Sequence, residues 1–117
     1  ARGYAAEKEH LAELILAGIA HKGFSLIDVF QPCKSFNKLN TFEWYAQRVY
    51  KIGPEHDPSN KAAAQALAAE SEKLPIGIIY KKERPSYGEL SGLDGMQPLV
   101  DAEIGNIDIN PALAEFR

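Results

Sequence analysis

The chain is poorest in cysteine: 117 residues contain one, Cys33. A single cysteine forms no internal disulfide, and it holds no metal by itself. A disulfide scaffold, a zinc ribbon and a two-cysteine redox site are therefore excluded within this chain. Basic charge is also short. Thirteen Lys and Arg face sixteen Asp and Glu, a formal charge of -3. Phosphate binding needs a basic surface, so nucleic acid is not expected as a partner. No apolar run approaches the ~20 residues that cross a bilayer, so no membrane partner is expected. A glycine-rich phosphate loop, a His-Glu-x-x-His helix and a GxSxG elbow are all missing. The opening residues, Ala1-Arg2-Gly3-Tyr4-Ala5, show neither a signal-peptide pattern nor an initiator Met and lead into a helix. We read this as a processed chain or a piece of a longer one. What remains is ordinary: 45% hydrophobic and 25% charged residues, enough for one globular domain with a core.

The first pattern along the chain is Leu11, Leu14, Ile15, Gly18 and Ile19, an apolar stripe at helical spacing. Glu7 and Glu9 suit the positive end of its dipole, and Gly23 stops it, so a helix is expected over 5–21. Residues 24–30 follow as a strand, with Leu26 and Phe30 on one side and Ile27 and Val29 on the other. A strand apolar on both sides is typical of a covered parallel sheet, and helix, glycine, strand is half of a crossover unit. The other strands of that sheet are not evident in the chain. Pro32 ends the strand and places Cys33 at its carboxyl end, the edge where open α/β sheets bind ligands.

Beyond Cys33, Asn40-Thr41-Phe42-Glu43 reads as a capping box with Asn40 as cap. Phe42, Tyr45, Val49 and Ile52 extend a helical stripe to Gly53. Asp57-Pro58 opens an alanine-rich helix running through 61–72. Residues 76–80 form a second strand. After Gly88 the chain is rich in turn residues, and a long tail with a short helix at 111–116 is expected.

Cys33 is the first candidate for chemistry, and three readings stand. It is a buried small hydrophobe. It is a thiolate nucleophile paired with His10, His21 or His56, none of which any spacing rule brings near it. His21 lies at the far end of the strand, roughly 25 Å away at about 3.3 Å per residue. Or it is a ligand to a metal or cluster whose other ligands come from elsewhere. Asp28 is a carboxylate in an apolar strand, favoured as a structural group, in a salt bridge or a backbone hydrogen bond, over a site group. Phe36, Phe42, Trp44, Tyr45 and Tyr50 read as core rather than ligand cage, with an interface exposed in an isolated fragment as the other reading. Lys81, Lys82 and Arg84, interrupted by Glu83, read as a solvated strand end.

Several of these segments carry a resemblance: residues 21–33, then Ser35-Phe36-Asn37, Asn40-Thr41-Phe42-Glu43-Trp44-Tyr45, Leu74-Pro75-Ile76-Gly77-Ile78 and Glu83-Arg84-Pro85-Ser86-Tyr87. Together they resemble the carboxyl-terminal third of the β subunit of 2-oxoacid:ferredoxin oxidoreductases. The likeness covers residues 1–90, departs at Lys34-Ser35 where a β-branched pair is expected, and does not extend into the tail beyond Gly92. It implies an enzyme that oxidatively decarboxylates a 2-oxoacid to an acyl-CoA and reduces ferredoxin, with thiamine diphosphate, magnesium and a [4Fe-4S] cluster. The thiamine motif and three cluster cysteines lie upstream in that family. Cys33, in the strand-Pro-Cys motif, is the implied fourth ligand.

The resemblance thus implies the last helix and strand of a thiamine-diphosphate-binding parallel-sheet α/β domain (1–34), an α+β carboxyl-terminal extension (35–91) and a turn-rich tail (92–117). It implies no catalytic or thiamine-binding residue in this chain, and no cofactor or activity for the chain alone. An α subunit, ferredoxin and coenzyme A are the implied partners of the whole enzyme, in the cytoplasm. Exposed strand edges leave a homodimer open. The competing class is a small non-catalytic α+β interaction domain with a buried structural cysteine.

Overall fold

A computed structural model describes residues 1–101, 105 and 108–116. The chain divides into two compact units, Ala1–Ser86 and Tyr87–Arg117. It is mixed α/β with two small parallel sheets, and no described helix is long and apolar enough to cross a membrane.

The first unit opens with strand β1 (Arg2–Tyr4), helix α1 (Lys8–Ala20) and strand β2 (Asp28–Phe30). β1 and β2 pair in parallel, Arg2 opposite Asp28 and Tyr4 opposite Phe30. The expected strand thus has a partner within the chain, in residues whose sequence suggests only the lead into a helix. Residues 5–7 are spent on a turn: Ala5 N–H donates to Phe30 O and Glu7 N–H to Tyr4 O. The helix therefore starts at Lys8 rather than residue 5. Gly3 lies close under it: a Cβ there would meet Leu11 Cδ1 at 2.7 Å and make that side chain shift. Leu14 is the one buried side chain of α1.

Within this chain the expected strand is shorter and is not covered on both faces. Only Asp28–Phe30 is strand, and Phe24 and Leu26 stand 84% and 68% exposed. The outer part of the helical stripe, Ile15 and Ile19, is exposed with them.

A second strand-helix-strand follows. Helix α2 (Phe42–Ala46) precedes strand β3 (Val49–Lys51), helix α3 (Lys61–Ala68) and strand β4 (Leu74–Ile76). β3 and β4 are parallel, with Val49 opposite Leu74 and Lys51 opposite Ile76. The cap of α2 is Thr41, whose Oγ1 accepts from Trp44 N–H at 3.3 Å. Asn40 instead closes the preceding turn, where Asn37 Oδ1 accepts from the Leu39 and Asn40 N–H groups, each at 3.0 Å.

The helical stripe does not continue to Ile52. Arg48 donates to the Trp44 carbonyl at 3.0 Å, satisfying a helix-end acceptor. β-branched Val49 and aromatic Tyr50 then enter a strand, the conformation such side chains favour. Asp57 likewise forms an Asx turn onto Ser59 N–H at 2.9 Å rather than opening a helix. Asn60 caps α3, its Oδ1 accepting from Ala62 and Ala63 N–H.

β4 lies earlier than the expected strand over 76–80. It ends at Gly77, which has φ +143°, a backbone conformation unsuited to other residues. Gly77 also joins the two sheets: its N–H donates to Arg2 O at 2.8 Å, and Arg2 N–H donates to Gly77 O at 2.9 Å. The buried core gathers around this junction in Tyr4, Leu14, Ala64, Leu74, Pro75 and Ile76. Pro75 is tolerated in a strand because both members of a two-stranded sheet are edges.

The second unit holds helix α4 (Tyr87–Ser91), which the turn-rich reading did not foresee, a 3₁₀ turn over Leu99–Asp101 and helix α5 (Asn110–Ala114). α5 is the expected short terminal helix, begun with proline in its first turn. Residues 102–104, 106, 107 and 117 of the expected tail lie outside the described residues.

Candidate metal-ligand site

Phe30 ends β2, Gln31 follows, and buried Pro32 anchors the chain so that Cys33 emerges exposed at the sheet edge. This corrects the reading of Cys33 as a buried hydrophobe. Residues 33–37 then turn back, with Asn37 N–H donating to Cys33 O at 3.1 Å. Inside this turn the backbone N–H groups of Phe36, Ser35 and Asn37 point at the sulfur and hold the thiol below its ordinary value. Donors of this kind favour the thiolate, the form that binds a metal.

Beside Cys33 lies a cavity of about 290 Å³, walled by Pro32, Lys34, Asn37, Lys38, Phe42 and Glu43. Lys34 Nζ sits 5.5 Å above the Phe42 ring centroid. Lys38 Nζ donates to the Lys34 carbonyl at 2.9 Å. The Glu43 carboxylate is held low by its own backbone N–H and the Thr41 hydroxyl, with Lys34 adding a smaller electrostatic pull. The wall of the cavity thus carries two ammonium groups and one carboxylate.

No histidine lines this cavity. His56 Nε2 lies 2.8 Å from Ile79 O, where it ties down the segment after β4. The nucleophile-histidine pairing has no support in this geometry. Among the described residues, no group of three or more His, Cys, Asp or Glu side chains could hold a metal. Any metal on Cys33 takes its remaining ligands from outside them.

Asp28 behaves as the structural reading expects. Its Oδ2 accepts from Arg2 Nε at 3.2 Å, tying β1 to β2 on an exposed surface. The same guanidinium lies 5.2 Å from the Phe30 ring centroid. The aromatic cluster is real but differently composed. Tyr4 and Phe30 join Phe42, Trp44 and Tyr45, with centroid separations from 4.9 to 6.2 Å. Tyr4 is buried, and its hydroxyl donates to Phe42 O at 2.9 Å, fixing α2, and with it one wall of the cavity, to the first sheet.

Phe36 is 93% exposed and takes no part in the cluster. Tyr50 turns its hydroxyl to Glu70 Oε2 at 2.9 Å. Lys81 pairs with Glu83 at 3.5 Å on the surface, as a solvated strand end would. The residues that reading by spacing missed are Tyr4, Lys34 and Lys38; each belongs to the site through the fold rather than through any motif.

The family described as the carboxyl-terminal region of the pyruvate ferredoxin oxidoreductase beta subunit matches residues 33–93, beginning at Cys33. A 2-oxoacid:ferredoxin oxidoreductase subunit beta from a Sulfolobus species is 45% identical over 102 residues, covering 76% of this chain and 33% of its own length. The beta subunit of 2-oxoacid:ferredoxin oxidoreductase 1 from Aeropyrum pernix is 38% identical over 141 residues, covering 100% of this chain and 43% of that protein. Among solved structures, the 2-oxoglutarate:ferredoxin oxidoreductase from Magnetococcus marinus, with 2-oxoglutarate, coenzyme A and succinyl-CoA bound, superimposes with a TM-score of 0.78 at 30% identity. That match covers all of this chain and 40% of the other. The chain thus spans about a third of the first of these relatives.

Proposed function

The chain belongs to the family of pyruvate ferredoxin oxidoreductase β-subunit carboxyl-terminal regions, and we propose that it serves as that part of an enzyme converting a 2-oxoacid and coenzyme A to an acyl-CoA while reducing ferredoxin. The observation that carries the reading is Cys33. It is an exposed thiol at the carboxyl end of a parallel strand, in a turn whose N–H groups favour the thiolate, at the first residue of the family match. These properties fit one ligand of a [4Fe-4S] cluster, and the other three come from elsewhere in the subunit.

Bound there, a cluster would supply one-electron transfer from the substrate undergoing oxidation to ferredoxin. This chain's own part is to present the sulfur: Pro32 anchors the end of β2, and the turn over 33–37 aims backbone donors at Sγ. Thiamine diphosphate and magnesium belong to the upstream portion, and this chain contributes no catalytic residue.

The uncovered apolar surface supports the same reading. Leu16, Ile19, Phe24 and Leu26 are each left largely exposed, and β2 is a sheet edge. An upstream thiamine-binding sheet domain, to which β1, α1 and β2 add a terminal piece, would cover both. An α subunit completes the assembly, and a cytoplasmic setting suits an exposed unpaired thiol.

The test is Cys33→Ser in the assembled enzyme. Iron content and the reduced-cluster EPR signal should fall, and ferredoxin reduction should drop with them. Full iron content with an unchanged signal would remove Cys33 from the ligand set.

A further inference from the structure

Lys34 is where this chain departs from the β-branched pair that the resemblance leads one to expect after the cysteine. The structure gives that departure a place. The ammonium is held over Phe42 at 5.5 Å and acts on Glu43, in the wall of the cavity that Cys33 also lines. Lys38 adds a second ammonium to the same wall, and Glu43 is the one carboxylate there. The local balance is therefore one positive charge, and it depends on Lys34.

We propose that Lys34 is a potential-setting residue, whose positive charge beside Cys33 raises the reduction potential of the iron–sulfur centre that Cys33 would hold. The inference rests on the reading of Cys33 as a ligand. The physical basis is simple. Reduction adds one negative charge to the cluster, and a nearby cation stabilises the reduced form more than the oxidised form. Net charge and hydrogen bonds to the sulfurs are recognised determinants of cluster potential. The backbone donors of Phe36, Ser35 and Asn37 act in the same direction, but any side chain in this turn would preserve them. Lys34 is the part that substitution can remove. A centre held there would take an electron from the substrate as it is oxidised and would pass it to ferredoxin. A raised potential favours the first step at the expense of the second.

The experiment is an EPR-monitored redox titration of the assembled holoenzyme carrying Lys34→Val, Lys34→Gln or Lys34→Arg. The Val and Gln variants should shift the midpoint of this cluster to more negative values, and Arg should restore it. The shift should shrink as ionic strength rises, since a charge at an open cavity is screened. A midpoint unchanged in Val and Gln, or shifted as far in Arg, overturns the proposal. An unchanged midpoint with a raised KM for ferredoxin also overturns it and makes Lys34 a docking residue. If Cys33→Ser keeps its cluster, the ligand reading itself has failed, an outcome distinguishable from a failure of the Lys34 effect.

Discussion

The two units of the chain are built on opposite terms. In Ala1–Ser86, short strands pair in parallel, and Tyr4, Leu14, Ala64, Leu74, Pro75 and Ile76 are taken out of water. In Tyr87–Arg117, none of the described side chains is buried. Leu90, Val100 and Phe116 stand 75%, 90% and 88% exposed. Charge divides the same way: residues 1–86 carry twelve Lys and Arg against ten acids, while residues 87–117 carry one arginine against six acids. The first unit has an inside. The second has helical turns whose apolar groups remain in solvent. Local signals such as proline in a first turn suffice to shape short helices, but burial is what makes a unit resist unfolding.

The sharpest way to break this comparison is to truncate one apolar side chain in each unit. Ile76→Ala removes a side chain that is 1% exposed, and should cost about 2–5 kcal/mol through lost burial and the cavity left behind. Leu113→Ala, at 49% exposed, should stay within about 0.5 kcal/mol. Urea unfolding midpoints compare the two, and equal losses would mean that the second unit has a core of its own.

A smaller effect tests the junction between the sheets. Gly77→Ala places a Cβ at φ +143° and 3.2 Å from Ile52 Cβ. The strained backbone should cost about 1–3 kcal/mol. Amide exchange at Arg2 and Gly77 should accelerate while exchange in α5 stays as it was.

The smallest effect concerns Tyr4. Tyr4→Phe removes the hydrogen bond to Phe42 O, worth about 1 kcal/mol net. Burial raises the Tyr4 phenol above its ordinary 10.0, with Glu43 and Glu7 adding to the shift. A raised acid favours the folded state only while the unfolded phenol is also protonated. That contribution is complete below pH 10.0 and is lost as pH rises through the folded value. The Phe variant should therefore lose less stability than the parent between pH 9 and pH 11, measured by urea midpoint. An identical slope would place the alkaline sensitivity at Tyr50, whose phenol burial and Glu70 also raise.

The parts of the fold legible in the sequence were those with strong local chemistry. Helix α1 showed in its apolar spacing, and α5 in Asn110-Pro111. The position of Cys33 past a strand end followed from Pro32 behind an apolar run. β1 escaped because Arg2-Gly3-Tyr4 has no alternation to read; it becomes a strand only because Asp28–Phe30 and Gly77 exchange hydrogen bonds with it. β3 escaped for the opposite reason. Val49 and Ile52 continued a helical spacing by coincidence, while the helix had already closed on Arg48. In the site, the cysteine was legible through its motif. The donors at its sulfur and the clustered charges of Lys34, Lys38 and Glu43 were not, since a turn and a cavity bring them together.

The pairing of residue 2 with residue 77 bears on how the protein is made. β2 leaves the ribosome about 26 residues after β1, at the register that pairs Arg2 with Asp28, so the two strands can meet early. β1 must then wait for most of the first unit to emerge before its other hydrogen bonds can form. Contacts so distant along the chain slow folding, and unpaired strands are open to wrong partners in the interval. Closure of the junction between Arg2 and Gly77 is therefore a late event in the assembly of the first unit.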